Sequence, residues 1–218
     1  MIHIYCLISG SGSNFEVLKR EIDKNYSKIF NIIYVISNKD NVYGLERAKN
    51  LNIATEVIKF EKPKNYKELN KNEKQIIRDN YEDKIYQFIK NDFRFNSKNT
   101  VILCLGWMHI LGKKFIQNFN SLGVNIYNLH PSLPNDHKLI GINSIDRAYR
   151  QFLEGHRLFT GIMIHEVIPE VDKGRCLVYN CLKINENIDL YKLEINMIEK
   201  KTLLDFIKIL KNKIRIKQ

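Results

Sequence analysis

Apolar and polar positions follow two alternating periods along the chain. Residues 2–9 form an apolar, β-branched run that predicts a strand, and it breaks at Ser9-Gly10-Ser11-Gly12-Ser13-Asn14. Beyond that break Phe15, Val17 and Leu18 fit one face of a helix, giving strand, Gly-rich turn, helix. The pattern repeats with a strand over 29–37, a helix over 43–51 and a short strand over 53–58. Residues 61–74 are charged and loop-like, and Ile76, Ile77, Ile85, Phe88 and Ile89 carry a helical period through 71–91. After the Asn-rich stretch 91–99, the apolar run 101–105 reads as a central parallel strand buried on both faces. A helix over 113–120, a strand over 124–129, a loop over 131–141 and a helix over 143–154 follow. Paired strands over 160–168 and 176–184 and a final amphipathic helix over 189–213 complete the pattern.

Strands alternating with helices predict an α/β fold, an open, mostly parallel twisted sheet with helices on both faces and right-handed crossovers. Its ligand site belongs at the carboxyl ends of the strands, where every motif below lies. A length of 218 residues is compatible with one or two domains. No Pro-, Gly- or Ser-rich linker divides the chain and no internal repeat appears, so a single domain over 1–218 is expected.

Composition narrows the classes. Hydrophobic residues make up 44% and aromatics 11%, too much for a disordered chain. The longest apolar runs fall far short of the ~20 residues that span a bilayer, so no membrane partner is expected. The start lacks a basic leader and a small-residue cleavage site, which points to a cytoplasmic protein. Four cysteines form no Cys-x-x-Cys pair, and six histidines include no His-Glu-x-x-His, so neither disulfides nor a metal is indicated. The net charge of +11 is spread over lysines in 59–74, 84–98 and 200–217 without a recognisable nucleic-acid motif. Nucleic acid is therefore not the expected partner. A basic surface suits phosphorylated or multiply carboxylated small molecules.

Four segments carry potential chemistry. The Ser/Gly turn leaves the backbone amides of Gly12, Ser13 and Asn14 open at a helix start, where they either cradle a phosphate or simply make a structural turn. It lacks the P-loop Lys and the dinucleotide glycine spacing, which disfavours ATP and NAD. Asn128 and His130, two apart at a strand end before Pro131, leave the same face, as polar residues meeting water or as donors to a developing oxyanion. Asp172, in Glu170-Val171-Asp172-Lys173-Gly174, is a turn residue or a carboxylate beside His130 that favours the imidazolium. Trp107 and its neighbours offer flat apolar groups, equally suited to a heterocycle or to core packing. His165 reads as a satisfied structural histidine.

Taken together these residues resemble the phosphoribosylglycinamide formyltransferases, folate-dependent enzymes of purine synthesis, over nearly the whole chain. The matching segments are Leu7-Ile8-Ser9-Gly10-Ser11-Gly12-Ser13-Asn14, Ser37-Asn38-Lys39 with Gly44-Leu45-Glu46-Arg47-Ala48, and Gly106-Trp107-Met108 with Ile110-Leu111. The most specific are Asn128-Leu129-His130-Pro131-Ser132-Leu133 and Val171-Asp172-Lys173-Gly174. The resemblance implies catalytic Asn128, His130 and Asp172. It implies glycinamide ribonucleotide as a substrate, its phosphate on Ser11, Gly12, Ser13 and Asn14 and its ribose against Glu199. It implies 10-formyltetrahydrofolate as co-substrate, with no metal, in a pocket of Trp107, Met108, His109, Ile110 and Leu111 and of Val167, Ile168, Pro169, Glu170 and Val171. The N-terminal half would thus hold the ribonucleotide and the C-terminal half the folate and the catalytic groups. The chain departs from the family at Ser132-Leu133-Pro134, which has one leucine where many members have two and is closer to the fungal-type form. Residues 135–140 are altered, His109 replaces a frequent Arg, Pro63-Lys64-Asn65 replaces a segment that often offers Arg, and Asn143 replaces a frequent histidine.

Overall fold

The computed structural model describes residues 1–215, so Lys217 of the basic C-terminal stretch lies outside it. Strand β1 (Ile2–Ile8) leads into helix α1 (Ser13–Glu21), and β2 (Phe30–Ser37), α2 (Tyr43–Asn50) and β3 (Ala54–Val57) follow. The long helix α3 (Lys71–Lys90) precedes β4 (Thr100–Cys104), α4 (Lys113–Ser121) and β5 (Asn125–His130). Helix α5 (Ser144–Leu153), strands β6 (Phe159–Glu166) and β7 (Cys176–Lys183) and helix α6 (Ile188–Arg215) complete the order. None of the described helices is long and apolar enough to cross a membrane.

The strands form one sheet in the order β3-β2-β1-β4-β5-β6-β7. The pairs from β3 across to β5 are parallel, while β5–β6 and β6–β7 are antiparallel. The expected open, mostly parallel sheet is therefore present, with a hairpin-like antiparallel edge. Burial follows from position: all of β4 is buried, as a central parallel strand requires, whereas the edge strand β7 alternates between half-buried and exposed residues. Two apolar layers cover the faces. Phe15, Leu18, Tyr127, Leu129 and Phe206 pack on one, and Ile85, Ile89, Phe115, Phe119 and Ile126 on the other.

Local chemistry sets the ends. Helix α3 starts where Glu73 N–H donates to Asn70 Oδ1 (3.0 Å) and Asn70 N–H donates to Glu73 Oε2 (2.8 Å), a reciprocal cap. A π-helical turn at Ile22–Tyr26 extends α1, which periodicity does not foretell. Strand β6 ends at Glu166, two residues before the expected limit. Val167 N–H turns instead to the Ile126 carbonyl (2.8 Å), just past a register irregularity at Ile164/His165.

Strand β1 lies between β2 and β4, so the chain leaves β1 on one side and returns on the other, and a crevice opens between the loops that follow. Those loops are tied together. Ser9 N–H donates to the Gly106 carbonyl (3.1 Å), and Met108 N–H donates to Ser9 Oγ (2.8 Å). Gly12 is required here: its φ is +69°, and a Cβ would lie 2.5 Å from the Phe15 ring and 2.7 Å from Gly44 Cα.

Candidate active site

On β5, Ile126 belongs to the apolar layer on the α3 and α4 side, and the strand period carries Asn128 and His130 along that face beyond it. Antiparallel pairing sets His165 of β6 directly opposite Asn128. Asp172 reaches the same place from the turn between β6 and β7. It adopts a left-handed conformation (φ +55°), uncommon for a residue with a side chain, and the turn closes tightly enough that a Cβ on Gly174 would sit 1.7 Å from the Glu166 carbonyl oxygen.

The Asp172 carboxylate is the hub. Its Oδ2 lies 3.4 Å from His130 Nε2 and accepts from Gly141 N–H at 2.7 Å. Its Oδ1 lies 3.4 Å from His165 Nε2 and accepts from Asn128 Nδ2 at 3.5 Å. The Asn128 amide also lies 3.3 Å from His165 Nε2, whose other nitrogen, Nδ1, donates to the Glu166 carbonyl (2.9 Å). His130 Nε2 donates to the Leu139 carbonyl (2.9 Å), so this nitrogen carries the hydrogen. Sequence reasoning took His165 for a structural residue. The signal that places it at the hub is the β5–β6 register.

Burial dominates the electrostatics. It pushes the His130 imidazole below the ordinary histidine range, against the opposing pull of Asp172 and of the Leu139 carbonyl, while His165 and Arg147 add to the lowering. The imidazolium expected from the neighbouring carboxylate is thus disfavoured in the free protein, and the ring is neutral near pH 7. Burial would raise the Asp172 carboxyl too, but the hydrogen bond with His165, the nearby His130 imidazole and the Gly141 amide together hold it below the ordinary carboxylate range.

These groups line a cavity of about 440 Å³. Trp107, Met108, His109, Ile110 and Leu111 form one wall, Val167, Ile168 and Val171 another, and Glu199 also faces it. Pro169 and Glu170 are not among its lining residues. A mostly apolar wall with a few convergent polar groups is the usual make-up of a small-molecule site. His109 lines the wall but is turned toward Glu82, a buried carboxylate of α3 that its Nε2 meets at 2.7 Å and that also accepts from Gly112 N–H at 3.0 Å. Phe60, Tyr81 and Trp107 surround the ring. Nothing in the spacing of Glu82 and His109 signals that contact.

The turn 11–14 lies outside the cavity lining but joins it through Asn14, whose Nδ2 donates to Glu199 Oε2 at 3.4 Å. No side chain caps α1, and its first intrahelical bond runs from Glu16 N–H to the Gly12 carbonyl. The amides of Ser13 and Asn14 are consequently helix-start donors suited to an anion.

Burial pushes the Glu199 carboxyl above the ordinary value, and Asn14 and Lys200 offset this only in part. A raised carboxyl pKa in the folded state means that folding loses stability as the pH rises from the ordinary carboxylate value through the raised one. Glu199→Gln is therefore expected to raise Tm, by more at pH 8 than at pH 4. Calorimetry at the two pH values checks this, and an unchanged or lower Tm at pH 8 contradicts it.

The formyl transferase family matches residues 2–205. A phosphoribosylglycinamide formyltransferase of Dictyostelium discoideum is 35% identical over 215 residues, covering 97% of this chain and 98% of that protein. The Saccharomyces cerevisiae enzyme of the same name is 33% identical over 202 residues, covering 90% and 91%. Among solved structures, the phosphoribosylglycinamide formyltransferase of Coxiella burnetii in complex with CHES superposes with a TM-score of 0.69 at 25% identity, covering 91% of this chain and 82% of that one. The Campylobacter jejuni protein gives 0.72 at 24%, covering 96% and 97%, and shares the fold. The chain belongs to the formyl transferase family.

Proposed function

We propose that this chain transfers the formyl group of 10-formyltetrahydrofolate to the amine of glycinamide ribonucleotide, giving formylglycinamide ribonucleotide and tetrahydrofolate in purine biosynthesis. The observation that carries the reading is the meeting of Asn128, His130 and Asp172 in the wall of one cavity. The likeness to the Dictyostelium and yeast enzymes along almost their whole length supports the choice of substrates.

The chain acts as one domain with two halves. The amides of the turn at Ser11, Gly12, Ser13 and Asn14 hold the phosphate, and Glu199 meets the ribose. The walls at Trp107 to Leu111 and at Val167, Ile168 and Val171 take the folate, which supplies the formyl carbon. These walls fit a flat heterocycle because they are apolar and lie next to the polar hub. No metal takes part in the reading.

As the amine bonds to the formyl carbon, the carbonyl electron pair moves onto oxygen. Asn128 donates a hydrogen bond to that oxygen. His130, neutral at rest, gains proton affinity as negative charge grows beside it, takes a proton from solvent, donates a charge-assisted bond, and gives that proton back when the carbonyl re-forms. Asp172, ionised throughout the neutral range, accepts the proton lost by the amine, directly or through water. It returns one to the departing folate nitrogen, so the proton count balances. Purified protein with both substrates should produce the absorbance change of tetrahydrofolate formation, and omitting the ribonucleotide should abolish it. Formate release without ribonucleotide would favour a hydrolase instead.

A further inference from the structure

The loop 131–141 is fastened by a side-chain pair away from the reacting groups. Asp136 accepts two bonds from Arg157, at 2.5 Å from Nη1 and 3.0 Å from Nη2, and the two side chains are only 13% and 11% exposed. Arg157 is itself held by Gln151 Oε1 (2.9 Å) and the Phe159 carbonyl (3.2 Å). Asp136 Oδ1 also accepts from Lys138 N–H (3.3 Å), which sets a single 3₁₀ turn at His137–Leu139 and drives Leu139 fully into the core. From that turn the backbone delivers the Leu139 carbonyl to His130 at 2.9 Å and the Gly141 amide to Asp172 at 2.7 Å. Between them, the Ile140 carbonyl accepts from Arg147 at 2.6 Å.

We propose that Asp136 and Arg157 are positioning residues: by fixing this loop they keep the Leu139 carbonyl on His130 and the Gly141 amide on Asp172, and so set the imidazole tautomer and the carboxylate charge. The inference rests on the transferase reading given above. A bidentate Arg–carboxylate pair fixes both distance and plane, which a single bond does not. A carboxylate that accepts a backbone N–H is favoured in its charged form, so losing the Gly141 contact moves Asp172 toward protonation at higher pH. The other groups facing Asp172 are Asn128 and His130 of β5 and His165 of β6. Asp146 of α5 and Lys192 and Glu199 of α6 also face the cavity, as does His109, and Arg147 adds its charge near His130.

Removing one partner alone leaves a buried charge unpaired, so the test uses the doubly neutral D136N/R157Q variant beside R157K. Two readouts are taken: kcat and both KM values against pH, and the imidazole ¹⁵N signals of His130 without substrates. The double variant is expected to lose about 10²-fold in kcat, as displacement of reacting groups from a distance commonly costs. The acid limb of its kcat profile moves to higher pH, KM for the ribonucleotide stays close to that of the parent, and the His130 signals leave the Nε2–H pattern. R157K, which keeps the charge, recovers part of both readouts. A folded double variant with the parent's pH profile and His130 signals overturns the proposal. If the parent enzyme itself transfers no formyl group, the functional reading falls, and the His130 signals alone decide the positioning role.

Discussion

Replacing Asp172 with Asn is expected to leave both substrates bound and to lower kcat by about 10²- to 10⁴-fold, the usual worth of general acid–base help. The substitution is nearly isosteric, and the Asn carbonyl can still accept the Gly141 amide. What disappears is the charge and with it the proton acceptor. The amine of the ribonucleotide must shed a proton to become acylated, and the departing folate nitrogen must gain one. Asp172 stands at the hub of Asn128, His130 and His165, and its carboxyl is held below the ordinary range despite burial. Both proteins lose activity as the substrate amine protonates, but the parent should show a further fall at lower pH, as Asp172 protonates, that the variant lacks. Steady-state kinetics with calorimetric binding of each substrate makes the check. A variant with near-parent kcat would remove Asp172 from the chemistry.

His130→Ala is expected to cost about 10²- to 10³-fold in kcat, as loss of an oxyanion donor does elsewhere. Because burial holds the free imidazole neutral, its charge appears only with the developing oxyanion. The stabilisation thus belongs to the transition state, so kcat should fall far more than KM rises. The same assay in His130→Ala tests this split. An equal rise in KM with kcat preserved would make His130 a ground-state binding residue.

Much of this was readable along the chain, for reasons that differ by segment. The continuous apolar runs at β1 and β4 have few alternatives to buried parallel strands, and the two-residue spacing of Asn128 and His130 fixes their common face. Period says nothing about contacts between distant segments. His165 joins the hub because β6 pairs antiparallel with β5 in a register that faces it to Asn128. Asp136, in a loop, and Arg157, beyond helix α5, meet across 21 residues, a contact that no period signals. Glu82 reaches His109 because α3 lies along the wall formed by residues 107–111. The neutral state of His130 was likewise hidden, since a neighbouring carboxylate alone argues for the imidazolium and only the surrounding burial reverses the balance.

The decisive experiment follows a ¹³C-labelled formyl group by NMR with the ribonucleotide present, in the parent protein and in D172N. The account predicts that the label arrives on the ribonucleotide amine with the parent and stays on the folate with the variant. Label appearing as free formate, or reaching the amine equally fast in both proteins, would contradict it.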